Sequence, residues 1–247
     1  MADARVARIN VTPVKSLRLN HPEEIELVPD GARDDRRFLL VDAERRLYNG
    51  KRDTTLCRTS ASWDAVSRRL ELTLPDGTTL SGEVESGAPT VVEVYRRPLH
   101  GRIVDGPWPD ALSDLVGRSL TLFERDDGGW ATDDRPASLV SQASLATIDG
   151  DGRRFRMLLE LEGVTAHQED TWRNRRVRVG EATLLVGDPT PRCAVPSASP
   201  DTGVRDRDVL RELLDKRGPV EGEPCMGVYA EVLEPGVVRV GDELELV

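Results

Sequence analysis

Val186-Gly-Asp-Pro-Thr-Pro-Arg-Cys-Ala-Val195 follows a strand-like run at residues 182–186, and three prolines lie within it or just after it. Each proline lacks a backbone N–H and fixes φ, so we expect the sheet to end here. The segment is then a rigid loop that presents the thiol of Cys193 beside Arg192. Such a thiol can be a soft metal ligand or a nucleophile. A lone cysteine is also commonly a small buried apolar residue, and the local chemistry leaves both interpretations open.

The composition around this segment is that of an acidic, polar-surfaced globular chain. Of its 247 residues, 38% are hydrophobic and 32% are charged, and the net charge is −10. A chain of this length can bury one large core or two modest ones. Binding nucleic acid requires clustered positive charge, so we expect no nucleic-acid partner. The chain has no apolar run of membrane-spanning length and no apolar signal core at its start, which predicts a cytoplasmic protein with no membrane partner.

Cysteine and histidine usage excludes several classes of site. The cysteines are Cys57, Cys193 and Cys225, an odd number with no C-x-x-C pair. A disulfide framework, a cysteine zinc site and a four-cysteine iron–sulfur cluster are therefore not expected. The three histidines are scattered, without the spacing of a zinc hydrolase.

Short strands and turn signals predict the fold class. Strands at 70–74 and 78–84 flank a Pro-Asp-Gly turn, which is typical of a hairpin. A short helix is expected at 110–116, and a second at 208–217 with Asp206 as its cap. We predict a mainly β fold with a few short helices. The short strands and long loops of the first half suggest a barrel or a sandwich. A breaker-rich patch at 126–136 is the best candidate for a domain boundary.

Basic and hydroxyl side chains form three candidate anion sites. Lys15, one of only three lysines, precedes Ser16 at a strand end, although taken alone this pair is better explained as an ordinary strand exit. Arg36 and Arg37 precede an apolar strand, where guanidinium groups can hold phosphate bidentately or pair with neighbouring aspartates. Adjacent strand residues point to opposite sides, so which arginine faces a ligand is left open. Ser141 is a predicted helix N-cap, and a helix start is also a phosphate seat.

Motifs in order along nearly the whole chain resemble those of the MOSC family (the C-terminal domain of molybdenum cofactor sulfurases), preceded by its N-terminal β-barrel domain. The most similar subgroup is the amidoxime-reducing component and its bacterial relatives. The motifs are Pro13-Val-Lys-Ser16, Asp35-Arg-Arg-Phe-Leu-Leu-Val-Asp42, Ser138-Leu-Val-Ser-Gln-Ala-Ser-Leu145, Phe155-Arg156, Glu169-Asp-Thr-Trp172, Arg192-Cys193, Pro200-Asp-Thr-Gly203 and Val238-Arg-Val-Gly-Asp242.

The resemblance implies an N-terminal β-barrel-like domain (residues 1–125) followed by a MOSC β-barrel domain (126–247). It also implies a molybdenum-cofactor oxidoreductase. In the family, the cysteine of the Arg-Cys motif ligates molybdenum that is carried by a pyranopterin dithiolene with a terminal phosphate (Mo-molybdopterin). Cys193 is then the catalytic residue and metal ligand. The implied cofactor-binding residues are Lys15, Ser16, Arg36, Arg37, Ser141, Ser144, Arg156 and Arg192. The implied reaction is reduction of a small N-hydroxylated compound by electrons from an external ferredoxin- or flavin-type protein.

Two departures from the family pattern motivate other hypotheses. Leu158 stands where the family has asparagine, and Ser199 stands where it has aspartate. The alternative function is a carrier of the molybdenum cofactor or of sulfur, without reductase activity of its own. A third possibility is a β-rich binding module in which Cys193 is merely buried. If the protein is the oxidoreductase or the carrier, we expect a basic cleft between the two halves with Cys193 at its floor.

Overall fold

The computed structural model describes residues 4–126, 134–148 and 150–247, and strands dominate it. The strands are β1 (Arg5–Ile9), β2 (Glu24–Val28), β3 (Gly31–Ala32), β4 (Phe38–Val41), β5 (Leu47–Tyr48), β6 (Ser60–Asp64), β7 (Arg69–Thr73), β8 (Thr79–Glu83), β9 (Glu85–Val94), β10 (Arg97–Asp105), β11 (Thr121–Arg125), β12 (Ala137–Ser141), β13 (Leu159–Glu162), β14 (Arg176–Val179), β15 (Ala182–Pro191), β16 (Cys225–Glu234), β17 (Gly236–Arg239) and β18 (Leu244–Leu246). The α-helices in this part of the chain are α1 (Trp108–Val116), α2 (Gln142–Ala146) and α3 (Val209–Lys216). The predicted mainly β fold with a few short helices is confirmed.

The second half is built on a seven-stranded sheet in the order β1-β13-β12-β16-β15-β14-β18. Backbone hydrogen bonds then join its last segment to its first, because Leu244 N–H donates to Ala4 O at 2.8 Å and Val6 N–H donates to Asp242 O at 2.9 Å. The sheet is thereby nearly closed into a barrel. Its interior is apolar, with Leu159, Leu161 and other side chains fully buried.

The first half has its own core between a five-stranded sheet, β5-β4-β11-β10-β9, and a three-stranded sheet, β6-β7-β8. Trp108 of α1, Phe38 and Leu72 are fully buried between them. Burial of such side chains contributes about 1.5–3 kcal/mol each. Each half is therefore stabilised by a hydrophobic core of its own.

The sheets do not follow a simple division of the chain at residue 125. Strand β1 pairs with β13, and β2 pairs with β17, so the first strands hydrogen-bond to the second half. The predicted domain limits stay a prediction, and part of the breaker-rich boundary patch, residues 127–133, lies outside the described residues.

The prediction that the sheet ends at Val186 is wrong. Strand β15 continues to Pro191 and pairs Pro189 with Val228 and Pro191 with Cys225 through irregular register. On its other side, β15 keeps backbone hydrogen bonds to β14 and the residues just before it only as far as Val186, whose N–H donates to Arg175 O at 2.9 Å. Beyond that point β15 is an edge on one side, where a proline's missing N–H costs no ladder bond.

The predicted hairpin is confirmed as β7–β8, and the two predicted helices are present as α1 and α3. The cap of α3 differs from the prediction, because the carboxylate of Asp208 accepts from Arg211 N–H at 3.1 Å. Asp206 instead forms an ion pair with Arg154 at 2.8 Å. Within the described ranges, no helix is long and apolar enough to cross a membrane.

Candidate cofactor cleft

A cleft lies where the two halves of the chain meet, and residues from both halves line it. The space that these residues surround is about 1130 Å³, including open solvent at its mouth. The predicted site residues that line it are Lys15, Ser16, Arg36, Arg156, Arg192 and Cys193. The basic cleft expected between the two halves is therefore present.

The cleft is strongly basic. Among the described residues that line it, eight are lysine or arginine and one, Asp35, is acidic. The cations are Lys15, Arg36, Lys51, Arg135, Arg153, Arg154, Arg156 and Arg192. Since the whole chain carries a net charge of −10, this concentration of positive charge is local, and its field favours an anionic ligand.

Cys193 is a partly exposed free thiol in the segment that follows β15. Arg192 anchors this segment, because its N–H donates to Pro224 O at 2.8 Å and its guanidinium donates to Phe155 O at 2.5 Å. The same guanidinium lies 5.4 Å from the centroid of the Phe155 ring. The residue before Cys193 is thus fixed through both its backbone and its side chain, which positions the thiol in the cleft.

Arg36 and Arg156 join the two halves at the cleft. Arg36 forms an ion pair with Asp35 and donates to Arg156 O at 3.3 Å. In return, the Arg156 guanidinium donates to Leu17 O at 2.8 Å. These contacts fix both guanidinium groups before any ligand binds.

Three of the predicted residues have strained backbone. The φ angles of Ser16, Arg36 and Arg156 are 77°, 52° and 55°, in the left-handed region that favours glycine. Such a conformation costs about 1–3 kcal/mol per residue and persists only where the surroundings enforce it. Strain at three residues that line one cleft is typical of a functional site.

Arg37 does not line the cleft. Its guanidinium pairs with Asp34 at 2.8 Å and with Glu124 at 2.7 Å, and it lies over the Trp63 ring. Burial alone would raise the pKa of Glu124, but hydrogen bonds from Arg68 and Arg37 lower that pKa overall. Of the two adjacent arginines, Arg36 therefore lines the cleft, whereas Arg37 contacts a buried carboxylate.

Ser141 and Ser144 also lie outside the lining of the cleft. Ser141 caps α2 as predicted, since its Oγ accepts from Ser144 N–H at 2.9 Å. Both serines are fully buried, and Glu169 accepts from Ser141 N–H at 3.2 Å and from Ser144 Oγ at 2.6 Å. The anion at this helix start is therefore the protein's own carboxylate.

The two positions that depart from the family pattern both line the cleft. Leu158 is buried in the barrel core, and its N–H donates to Ser138 Oγ at 3.0 Å. Ser199 Oγ accepts from the N–H groups of Asp201 and Thr202, each at 3.3 Å. Serine can support this turn as an aspartate side chain would, so the loop keeps its local geometry.

Sequence reasoning missed several lining residues. Cys57 lies in a 3-10 turn of the first half and its Sγ–H donates to Ser199 O at 3.5 Å, while burial raises the pKa of its thiol. Tyr95 comes from the turn between β9 and β10. No local sequence motif indicates that Cys57 or Tyr95 lines the cleft. Lys51 could have been found from the sequence, because lysine is rare in this chain and two of the three lysines line the cleft.

Removal of the Glu169 carboxylate tests whether this side chain stabilises the start of α2 by accepting hydrogen bonds from Ser141 and Ser144. Glu169→Ala leaves the buried donors of Ser141 and Ser144 without their acceptor, and each such group costs about 1–3 kcal/mol. We expect the free energy of unfolding in urea to fall by about 2–4 kcal/mol. Glu169→Gln, which keeps one acceptor oxygen, should lose less.

The matched control is Glu162→Ala, because Glu162 is exposed on β13. Its effect should stay within about 0.5 kcal/mol. An equally small loss for Glu169→Ala would contradict the assigned role of Glu169.

Comparison with known proteins identifies the family of the chain. The family model for the MOSC domain matches residues 126–245, and that for the MOSC N-terminal beta barrel domain matches residues 3–118. The chain is 29% identical to mitochondrial amidoxime reducing component 2 of Bos taurus over 96% of this chain and 81% of that protein. It is 26% identical to the molybdenum cofactor sulfurase of Caenorhabditis briggsae over 91% of this chain but 33% of that protein. Among solved structures, the YuaD protein of Bacillus subtilis has a TM-score of 0.44 at 13% identity, covering 98% of this chain and 94% of that one. The chain belongs to the MOSC family and carries the family's N-terminal β-barrel domain.

Proposed function

We propose that this protein binds Mo-molybdopterin in the cleft and reduces small N-hydroxylated compounds with electrons from a separate redox protein. One observation carries the proposal. A cleft with eight cations and one carboxylate among its described lining residues, in a protein of net charge −10, also contains the Cys193 thiol. Anion binding and soft-metal ligation are thus available side by side.

The donor set fits the two chemically distinct ends of the cofactor. Lys15, Arg36 and Arg156 would hold the terminal phosphate, for which fixed guanidinium groups are suited. Cys193 would supply a thiolate to a metal that already has sulfur ligands. When bound, the cofactor supplies two-electron redox chemistry at molybdenum.

The residues of the chain provide binding, orientation and electrostatics for that chemistry. Contacts with Asp35 and Leu17 O fix the guanidinium groups of Arg36 and Arg156 in advance, so ligand binding requires little reorganisation. The overall reaction takes an N-hydroxyl compound, two electrons and two protons to the reduced nitrogen compound and water. The N–O bond breaks and its oxygen leaves as water.

The substrate class rests on the relatives as well as on the cleft. The protein from Bos taurus is named for amidoxime reduction, and the similarity covers most of both chains. An amidoxime is an N-hydroxylated amidine, so the relative's name points to the substrate class proposed. The cytoplasmic location inferred from the sequence stays a prediction.

A carrier function without reductase activity is the second candidate. It is favoured by Leu158, whose apolar side chain replaces a polar family residue in the lining, and by the similarity to a sulfurase. A carrier would hold the cofactor but would not turn over an N-hydroxylated substrate.

The test is turnover of an aromatic amidoxime by protein expressed in a host that makes the cofactor, with reduced methyl viologen as chemical reductant. The wild type should release the amidine. Cys193→Ser should lose at least about 100-fold in rate, because a metal ligand is replaced. Cys225→Ser is the matched control, since Cys225 is buried and is not among the lining residues.

The control should retain its rate within about twofold. Wild-type protein that contains molybdenum but releases no amidine would favour the carrier. Full activity in Cys193→Ser would refute the assigned role of the thiol.

The adjacent arginines offer a matched test of cofactor binding. Arg36→Gln removes a fixed cation from the cleft and leaves Asp35 uncompensated, so the pterin retained per mole of protein after dialysis should fall at least about tenfold. Arg37→Gln changes the same side chain one position away and should retain the wild-type amount. Equal retention by the two variants would contradict the placement of the phosphate near Arg36.

A further inference from the structure

The mouth of the cleft is bordered by a basic rim, defined here as Arg45, Arg46, Lys51, Arg52, Arg96 and Arg97. We propose that this rim is the docking surface for a small acidic one-electron carrier. The inference rests on the proposed function and adds the face and the charge of the redox partner to it.

The rim is continuous with the cleft. Lys51 Nζ lies 4.8 Å from the centroid of the Tyr95 ring, and Asn49 Nδ2 donates to Tyr95 Oη at 2.9 Å. All three of these residues line the cleft. Arg46 is paired with Glu93 of β9 in an isolated bridge, which brings the segment at 45–52 beside the tip of the β9–β10 hairpin. A protein seated on the rim would therefore cover the entrance to the cleft.

The tip of the β9–β10 hairpin has a backbone conformation that its residue types disfavour. Val94 pairs with Arg97, so Tyr95 and Arg96 form a two-residue turn, and their φ angles are 50° and 66°. A turn with both central residues at positive φ strongly favours Asn-Gly. Arg45, in the neighbouring turn, has a φ of 58°. Two arginines and a tyrosine held where glycine or asparagine would be less strained point to a function of the exposed side chains.

The charge of the rim is opposite to that of the molecule. Residues 42–52 and 93–97 contain six cations against three carboxylates, Asp42, Glu44 and Glu93. All six cations are exposed, while the whole chain has a net charge of −10. An acidic protein approaching at random is repelled by most of the surface and attracted here. Such a field orients an encounter and speeds association.

The occupant that best fits is a small acidic redox protein. Electrons must reach the cleft, and transient redox complexes use small, charge-guided interfaces. A nucleic acid would extend past so small a rim onto acidic surface, which disfavours it. A one-electron carrier would dock twice for each substrate, delivering the two electrons that the overall reaction consumes.

The experiment uses cofactor-loaded full-length protein and an acidic plant-type [2Fe–2S] ferredoxin as the probe. Binding is measured by calorimetric titration at low (about 20 mM) and high (about 300 mM) salt. The rim variant is Arg46→Glu/Arg97→Glu, which avoids the positions at positive φ. The matched control is Arg176→Glu/Arg178→Glu, which makes the same charge change on exposed residues of β14.

Wild-type protein should bind ferredoxin at low salt and lose affinity at high salt. The rim variant should weaken the Kd at least about tenfold, and the control about twofold or less. Turnover of the amidoxime with ferredoxin should fall in the rim variant, whereas turnover with reduced methyl viologen should not change.

Three results would overturn the inference. They are undetectable binding by the wild type, an equal loss of affinity in the rim and control variants, and tighter binding of short single-stranded DNA than of ferredoxin. Failure of the proposed function would be distinct from these. In that case rim-dependent ferredoxin binding persists, but no amidine forms with either reductant.

Discussion

Two reciprocal arginine hydrogen bonds at the seam between the halves are the contacts on which the cleft depends. Arg36 of the first half donates to Arg156 O, and Arg156 of the second half donates to Leu17 O. Cys57 and Thr54 add contacts across the same seam to Ser199 O and Gly203 O. The basic side chains that would bind a ligand thus also tie together the two walls that hold it, so binding and assembly of the site share one set of groups.

The constraint behind these contacts is repulsion among like charges. Eight cations in one cleft repel each other, and several are therefore compensated by the protein: Arg153 pairs with Asp151 and Asp201, and Arg154 pairs with Asp206. Arg156 and Arg192 also donate to carbonyl groups, which orient the two guanidinium groups. A bound phosphate would relieve the remaining repulsion, which gives an anion a favourable free energy of binding at this position.

The sequence predicted the family, the mainly β fold and the lining residues that lie in recognisable motifs, such as Lys15 and Cys193. The predictions that failed concerned contacts between residues that are distant along the chain. Ser141 and Ser144 form a good helix start, but no local pattern reveals that Glu169, distant along the chain, folds back to accept from both of them. Strand β15 passes through its prolines because β14 ends early, which is a property of the sheet and not of the segment. Cys57 and Tyr95 reach the cleft only through long-range packing of the first half.

The proposed ligation of molybdenum by Cys193 can be tested by X-ray absorption at the molybdenum edge. The protein and its Cys193→Ser variant would be expressed in a host that makes the cofactor and measured at equal metal content. We expect one sulfur neighbour fewer around molybdenum in the variant, with that sulfur replaced by a lighter oxygen or nitrogen neighbour. An identical sulfur shell in the two proteins, or folded wild-type protein without molybdenum, would contradict it.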